Sequence, residues 1–244
     1  HQHVYANGTG VMGSGVLGGL GLELANLIEA NATGVDFAGP VQWNRIARNR
    51  VGIVSRTGQL VTHNLVYRNS GTGIRVSGAA GVSIVANTFY APQGDNLRIE
   101  NGARGVEARS NIFWAESGYD ILVSNDSQTG FVSDYNDLHA SGTGKLVYWT
   151  RDFGDILDFQ ADVASFDLRS IGTTVINPRW AEPRFRNRAR DDYRVFELVA
   201  GQRFSSPTIE AAAPTPEEPA GDQGAYRHNV APGTPSPRIR LQFP

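Results

Sequence analysis

The chain has 244 residues, 40% of them hydrophobic, and a formal net charge of −2, so it can bury a sizeable core in one elongated or two compact domains. No block is rich in lysine and arginine, which argues against nucleic acid as a partner. The absence of cysteine excludes disulfides, thiolate catalysis and cysteine-based zinc sites, and the longest uncharged stretch is too weakly apolar for membrane insertion.

The first residues already belong to a repeat. The segment 3–7 (HVYAN) aligns with 27–31 (LIEAN), which places the start of the chain inside a repeating unit. Open ends of stacked β-structures expose unpaired strand edges. We therefore expect this end to be covered, either by upstream coils of the same polypeptide or by a partner.

An asparagine recurs every 18 to 25 residues along the first 136 positions. The members are Asn26, Asn44, Asn64, Asn87, Asn111 and Asn136. Such a period indicates a stacked architecture, and an inward asparagine at the same corner of each coil can hydrogen-bond to its neighbours. The pattern predicts an all-β, right-handed parallel β-helix with an asparagine ladder over residues 1–150. The alternative is an antiparallel sandwich in which these asparagines lie in hairpin turns.

Period-two alternation within each coil predicts which side chains face the core. The residues two positions after each asparagine are apolar: Ile28, Ile46, Val66, Phe89, Phe113 and Leu138. A second strand is expected to turn inward Ile53 and Ser55, Ile74 and Val76, Leu97 and Ile99, Ile121 and Val123, and Leu146 and Tyr148. A third strand is expected to bury Val41, Val61, Ile84 and Ala108.

The period stops after Tyr148. Apolar residues at helical spacing behind Asp155 predict a short helix over residues 155–166, within a cap of residues 151–176. Residues 177–244 are rich in proline and predict an extended tail that packs along the β-helix to about Arg227, with its end disordered. Short strands are expected near 193–195 and 224–226.

Together, these features resemble the bacterial right-handed parallel β-helix repeat proteins of the pectate lyase-like superfamily. The resemblance rests on the asparagine repeats, on SDYNDLH at 133–139, and on the tail motifs 177–180 (NPRW), 192–195 (DYRV) and 222–226 (DQGAY). It implies a secreted, periplasmic or cell-surface protein. It carries over no catalytic residue, because the signatures of alginate epimerases and calcium-dependent pectate lyases are absent.

Polar outward positions of the middle strands form the most functional-looking patch. Alternation places Asn96, Asp120 and Lys145 in one row, Arg75 and Arg98 in the next, and Glu100 beyond. Neighbouring arginines suit a uronate carboxylate, so Arg75 and Arg98, with Lys145 as a base, are the candidate catalytic residues. Asn96 is a candidate for substrate binding. Asp120 with Glu100 are candidate ligands for calcium. The alternative is an ordinary solvated row in which Arg98 pairs with Glu100 or Asp120.

A second row, three residues after the asparagines, contains Tyr67, Tyr90 and Trp114, with His139 at the same offset in the last coil. Stacked aromatic rings bind sugars, which makes these residues candidates for substrate binding. The flanking Leu65, Thr88 and Ile112 are largely apolar, which favours a face that the tail covers.

The sequence therefore leaves two functions open. One is a carbohydrate-active lyase or epimerase that acts on an acidic polysaccharide. The other is a non-catalytic surface or structural module that binds glycan or protein.

Overall fold

The computed structural model describes residues 1–195, 206–209, 211–214 and 222–226, and shows an all-β parallel solenoid of about six turns. Three sheets run along the solenoid. The first sheet contains His3–Tyr5, Leu27–Glu29, Arg45–Ala47, Leu65–Tyr67, Thr88–Tyr90, Ile112–Ala115, Asp137–Ala140 and Ile171–Gly172. The second contains Thr9–Ser14, Thr33–Ala38, Val51–Ser55, Thr72–Ser77, Asp95–Glu100, Tyr119–Val123, Lys145–Trp149 and the antiparallel Arg151–Phe153. The third contains Val41–Gln42, Leu60–Thr62, Ser83–Val85, Glu107–Arg109 and Val132–Asp134.

The predicted fold class, a parallel β-solenoid with an asparagine ladder, is confirmed. The six apolar residues predicted two positions after the asparagines are all buried, as are the four predicted in the third sheet. Like side chains stack on like: the rings of Phe89 and Phe113 lie 4.7 Å apart and nearly parallel. Each coil thus buries its apolar side chains against the equivalent positions of its neighbours.

The predicted ladder occupies the corner between the third and first sheets. The Asn44 side-chain amide donates to Asn64 Oδ1 at 3.1 Å, and the same bond links each successive pair as far as Asn136. Each oxygen also accepts the backbone N–H of the preceding rung, as Asn87 Oδ1 does from Asn64 at 2.9 Å. The ladder therefore satisfies backbone groups that the corner would otherwise bury without partners.

The residue before each rung from Asn44 to Asn136 adopts a left-handed backbone conformation, although none is glycine. Trp43, His63 and Ala86 have φ values of 54° to 55°. This conformation costs a non-glycine residue of order 1–3 kcal/mol. The following asparagine stabilises the bend, because its amide donates back across it, as Asn64 Nδ2 does to Thr62 O at 3.0 Å.

A second ladder, which the sequence analysis missed, occupies the corner between the first and second sheets. Its rungs are Asn7, Asn31, Asn49 and Asn69, with side-chain bonds of 3.2, 3.0 and 3.1 Å. The signal was the recurrence of a second asparagine five positions after the first in three consecutive coils, at 26–31, 44–49 and 64–69. This ladder ends after Asn69, because Pro92 occupies the equivalent position in the next coil.

The C-terminal end of the solenoid is closed by residues 151–172. The predicted helix runs over Ile156–Val163, and the Asp155 side chain caps it by accepting from Leu157 N at 2.8 Å. Its buried Phe159 packs on Phe153 with the ring centroids 5.1 Å apart. Asp167 then accepts from the Asn136 amide at 3.1 Å. An aspartate therefore terminates the first ladder.

At the other end, the predicted alignment of the first two coils is confirmed, because His3 pairs with Leu27 and Tyr5 with Glu29. Among the described residues, no strand pairs with the outer edge of His3–Tyr5 or Thr9–Ser14. Tyr5 and Met12 are 58% and 71% exposed there.

The described residues after position 180 lie against the outer face of the first sheet. Phe185–Asn187 and Asp192–Val195 form an antiparallel hairpin, called here the C-terminal hairpin, joined by the 3-10 turn Arg188–Arg190. Ala225 N donates to Thr88 Oγ1 at 2.9 Å. The strand expected at 224–226 is wrong, since those residues form a bend without a strand. The tail end predicted to be disordered, residues 228–244, lies outside the described residues.

Two further 3-10 turns, Leu22–Leu24 and Asn125–Ser127, complete the described elements. In the described part of the chain, no helix has the length and apolar character that crossing a membrane requires.

Candidate functional site

The prediction that Asn96, Asp120 and Lys145 form one solvent-exposed row is wrong. Asn96 and Asp120 are 1% and 0% exposed, and Asn96 Nδ2 donates to Asp120 Oδ1 at 3.0 Å. Lys145 is exposed, but it aligns with Tyr119 rather than with Asp120. Neither Asn96 nor Asp120 is accessible to a polysaccharide in this structure.

The physical reason is the corner geometry. Asn96 aligns with Gly73, in the column where earlier coils have Gly34 and Gly52. A Cβ atom at Gly52 would lie 3.0 Å from the Asn69 side-chain nitrogen, so glycine leaves room for the second ladder. Where that ladder has ended, Asn96 places its own amide in the corner. Strict alternation fails at such a bend.

The register predicted for the last coil is also wrong. Val147 aligns with Ile121, and Trp149 aligns with Val123. The predicted inward Tyr148 instead aligns with Leu122 on the outer face. A one-residue difference in the preceding turn exchanges the two faces of a strand, because side chains alternate with a period of two. Leu146 is nevertheless buried, since it lies at the corner beyond Asp120.

The two predicted arginines do lie together on the outer face of the second sheet. Arg75 and Arg98 are register partners on adjacent strands. Arg98 donates to Glu100 at 2.8 Å and to Asp95 at 2.6 Å. Arg75 has no ion pair within the described residues, and its Nε is buried without a hydrogen-bond partner. Arg98 is thus shared between two carboxylates, whereas Arg75 has a guanidinium available for an anion.

Asp95 belongs to this site and was missed by the sequence analysis. Its side chain is 8% exposed, accepts from Arg98 and also accepts from Tyr119 N at 3.1 Å. Burial raises the pKa of the Asp95 carboxyl, while the Arg98 guanidinium opposes that rise. The available signal was the segment 95–100 (DNLRIE), in which Arg98 lies between two acidic residues.

Two tyrosines extend the same face toward the C-terminal end. The rings of Tyr119 and Tyr148 lie 6.0 Å apart, edge to face. Tyr119 donates its hydroxyl to Asp152 at 2.7 Å, and burial together with that carboxylate raises the pKa of Tyr119 to about 12. We call Arg75, Arg98, Tyr119, Tyr148 and Lys145 the cationic face.

Lys145 is distant from the arginine pair along this face. It lies two coils beyond Asp95, because Asp95 and Tyr119 precede it in the same column. Two coil spacings correspond to about 10 Å. The structure therefore does not bring the predicted base Lys145 next to Arg75 and Arg98.

The two predicted calcium ligands are also separate. Glu100 is engaged with Arg98, whereas Asp120 is enclosed in the corner beside Asn96. Burial raises the pKa of Asp120 well above its ordinary value, with the Asn96 amide acting in the opposite direction. Among the described residues, no cluster of three or more histidine or acidic side chains is arranged to hold a metal ion.

The aromatic row of the first sheet is covered. Tyr67, Tyr90 and Trp114 are 3%, 7% and 4% exposed and pack against the C-terminal hairpin. The Trp114 ring lies 5.9 Å from Phe185, and the Arg188 guanidinium lies 3.7 Å from the Trp114 ring centroid. The expectation that this face is covered is consistent with these contacts. A sugar cannot reach the three rings in this arrangement.

His139 belongs to the same covered surface. Its ring packs edge to face on Trp114 at 4.6 Å, and its Nδ1 is 3.1 Å from Thr173 Oγ1. Burial, with a smaller contribution from Arg188, lowers the pKa of His139 to about 4. His139 is therefore a neutral packing residue near neutral pH.

The cationic face of the second sheet, which no described residue of the C-terminal segment covers, is thus the surface of the described structure best suited to a ligand. Comparisons with protein-family models, with curated proteins and with solved structures found no significant match, so the assignment of this face rests on its geometry and chemistry.

Proposed function

We propose that the cationic face binds an acidic polysaccharide. The observation that carries the proposal is the pair of neighbouring arginines on a sheet face that no described part of the C-terminal segment covers. One of them, Arg75, has no carboxylate partner among the described residues. A guanidinium recognises a carboxylate through two parallel hydrogen bonds, which suits the carboxylate of a uronate residue.

The spacing of the face favours a polymer. Arg75, Arg98, Leu122 and Tyr148 occupy successive coils in one column. Three coil spacings amount to about 14 Å along the solenoid axis. A chain that lies along this axis meets the arginines first and the tyrosine rings further on. Aromatic rings at that end provide apolar surface for sugar rings.

Arg75 is expected to dominate carboxylate binding. Arg98 already donates to Asp95 and Glu100, so a uronate carboxylate there would compete with two protein carboxylates. Arg75 has no such competitor within the described residues. A charge-assisted hydrogen bond contributes about 1.5–3 kcal/mol, which corresponds to roughly a 10- to 100-fold change in Kd.

The test is isothermal titration calorimetry with polygalacturonate and alginate, with dextran as the neutral control. Arg75→Gln is expected to weaken polyuronate binding at least tenfold. The matched control is Arg109→Gln, since Arg109 lies on the strand Glu107–Arg109 of the third sheet and not on the cationic face. Equal affinities for polyuronate and dextran, or equal losses in the two variants, would refute the proposal.

A catalytic version of the same function is a polysaccharide lyase or epimerase, as the resemblance to the pectate lyase-like superfamily implies. Lysis of polyuronate by β-elimination needs a base near the carboxylate-binding arginines. Lys145 is two coils away, whereas Asp95 and Glu100 contact Arg98 directly. The geometry thus favours binding over chemistry that depends on Lys145.

Absorbance at 235 nm during incubation with pectate, alginate or glycosaminoglycans tests the lyase version, with and without calcium. Activity that disappears in Lys145→Met would restore Lys145 as the base. Binding without any rise in absorbance supports a non-catalytic surface module. An extracellular location accords with either version.

A further inference from the structure

A second cleft lies on the opposite side of the molecule from the cationic face, and nothing in the proposed function uses it. It has a volume of about 640 Å³ and lies between the turn at 20–23 and the C-terminal hairpin. Its lining includes Glu23, Trp43, Arg45, Arg190, Arg194 and Tyr226. Asp191 and Asp192 also line it, and each is already ion-paired with an arginine. We call it the hairpin cleft. Its volume is within the range of small-molecule sites, roughly 300–1,000 Å³.

The hairpin cleft contains two arginines that no carboxylate neutralises within the described residues. Arg45 donates to the Tyr226 hydroxyl at 3.3 Å and forms no ion pair there. The exposed Arg190 side chain likewise has no acidic partner among those residues. By contrast, Arg194 is bound by Asp192 at 2.6 Å. Two positive charges on the floor and the wall are therefore available to an anionic ligand.

The other available groups suit a sugar. Glu23 forms no ion pair within the described part of the chain, so its carboxylate can accept hydroxyl hydrogen bonds. Trp43 is half-buried and contributes an aromatic ring, which stacks on His63 at 4.2 Å. Arginine for a carboxylate, an acid for hydroxyls and an aromatic ring for the sugar face together match an acidic saccharide.

The cleft is held in shape by contacts on both sides. Trp43 is in the left-handed conformation directly before the buried ladder residue Asn44, which fixes the floor. Asp191 binds both Arg48 and Arg68, which anchors the hairpin wall to the first sheet. The floor and the hairpin wall are therefore positioned before a ligand arrives, whereas the exposed Arg190 and Glu23 side chains become ordered on binding.

We propose that the hairpin cleft binds one or two residues of an acidic oligosaccharide, with the carboxylate between Arg45 and Arg190. The site is separate from the cationic face in residues and in ligand size. The cationic face fits an extended polymer, whereas the hairpin cleft is bounded by the turn at 20–23 and by the C-terminal hairpin.

The test is titration of digalacturonate by calorimetry, with digalactose, the uncharged sugar, and acetate, the bare carboxylate, as comparison ligands. Arg190→Gln is the primary variant, because its side chain is exposed and its loss should leave folding intact. Arg45→Gln is the second variant. Each is expected to weaken digalacturonate binding at least tenfold, while Arg109→Gln and Arg75→Gln stay within twofold.

The proposal is overturned by absence of digalacturonate binding, by equal binding of acetate, or by unchanged affinity in Arg190→Gln and Arg45→Gln. It is also overturned if Arg75→Gln alone abolishes the binding, since the disaccharide would then occupy the cationic face. Failure of the polymer proposal is seen separately, as unchanged polygalacturonate affinity in Arg75→Gln.

Discussion

Removal of one central rung of the first ladder, Asn87→Ala, should be among the most destabilising single substitutions in this protein. The Asn87 side chain is fully buried. Its oxygen accepts from Asn64 N at 2.9 Å, and its amide donates to Val61 O at 2.9 Å and Val85 O at 3.1 Å. Alanine would leave three buried backbone groups without these partners.

Each buried polar group that loses its partner costs about 1–3 kcal/mol, and partial relaxation lowers the sum. We therefore expect Asn87→Ala to reduce the free energy of unfolding by about 3–6 kcal/mol. The terminal rung Asn26 is only half-buried, and its oxygen accepts from the exposed Gln2 N. Water can replace that bond, but the buried Asn44 Oδ1 also loses the Asn26 amide that donates to it at 2.9 Å, so Asn26→Ala should cost about 1–3 kcal/mol.

Urea unfolding followed by circular dichroism measures both variants. Because a stacked array can unfold in stages, the single-transition analysis must first be verified with a second probe such as tryptophan fluorescence. Asn69→Ala provides an intermediate case, since Asn69 accepts from Asn49 N and donates to Ile46 O. If the three variants lose equal stability, the ladder does not stabilise the fold by hydrogen-bonding buried backbone groups. That result would refute this prediction.

Three further predictions concern single residues. Asp137 is fully buried, neither of its carboxyl oxygens has a hydrogen-bond donor within the described part of the chain, and burial raises its pKa well above the ordinary value. The folded state then holds the proton more tightly than the unfolded state, so stability falls as pH rises above about 4. Asp137→Asn should raise Tm more at pH 7 than at pH 4, and an equal change at both would contradict this. Asp155→Ala should cost about 1 kcal/mol by urea unfolding, and it should destabilise the protein more than the exposed control Asp158→Ala. Trp114→Ala should cost about 3–5 kcal/mol while the folded variant retains polyuronate affinity, and a selective loss of affinity would implicate the covered aromatic row.

Much of the fold could be predicted from the sequence, because the ladder asparagine fixes the phase of each coil. Once Asn87 is placed inward, Phe89 must also face the core, and the structure confirms it. The helix cap at Asp155 could also be predicted from neighbouring residues, since an aspartate precedes apolar residues at helical spacing. Both inferences depend on residues that are close in sequence.

The candidate site was predicted less well, because the predictions failed where the inward–outward alternation of side chains is interrupted. Asn96 follows the strand pattern of an outward residue, but the corner turns its side chain inward beside Asp120. Lys145 was displaced by one position through the turn before it. Contacts with the C-terminal hairpin, which bury Trp114, join residues far apart in the chain and leave no local pattern.

The coils differ in whether one of them can be deleted while the asparagine ladders stay continuous. Between Asn26 and Asn69 each coil carries both ladders, and corresponding rungs are 18 or 20 residues apart. Deletion of residues 45–64 would join Asn44 to Leu65, and every rung would meet a chemically identical neighbour. The later coils, which carry Arg98 and Tyr119, lack the second ladder and have no such duplicate. The length of the solenoid can thus change in whole coils at one end, while the surface proposed to bind polysaccharide stays unchanged at the other.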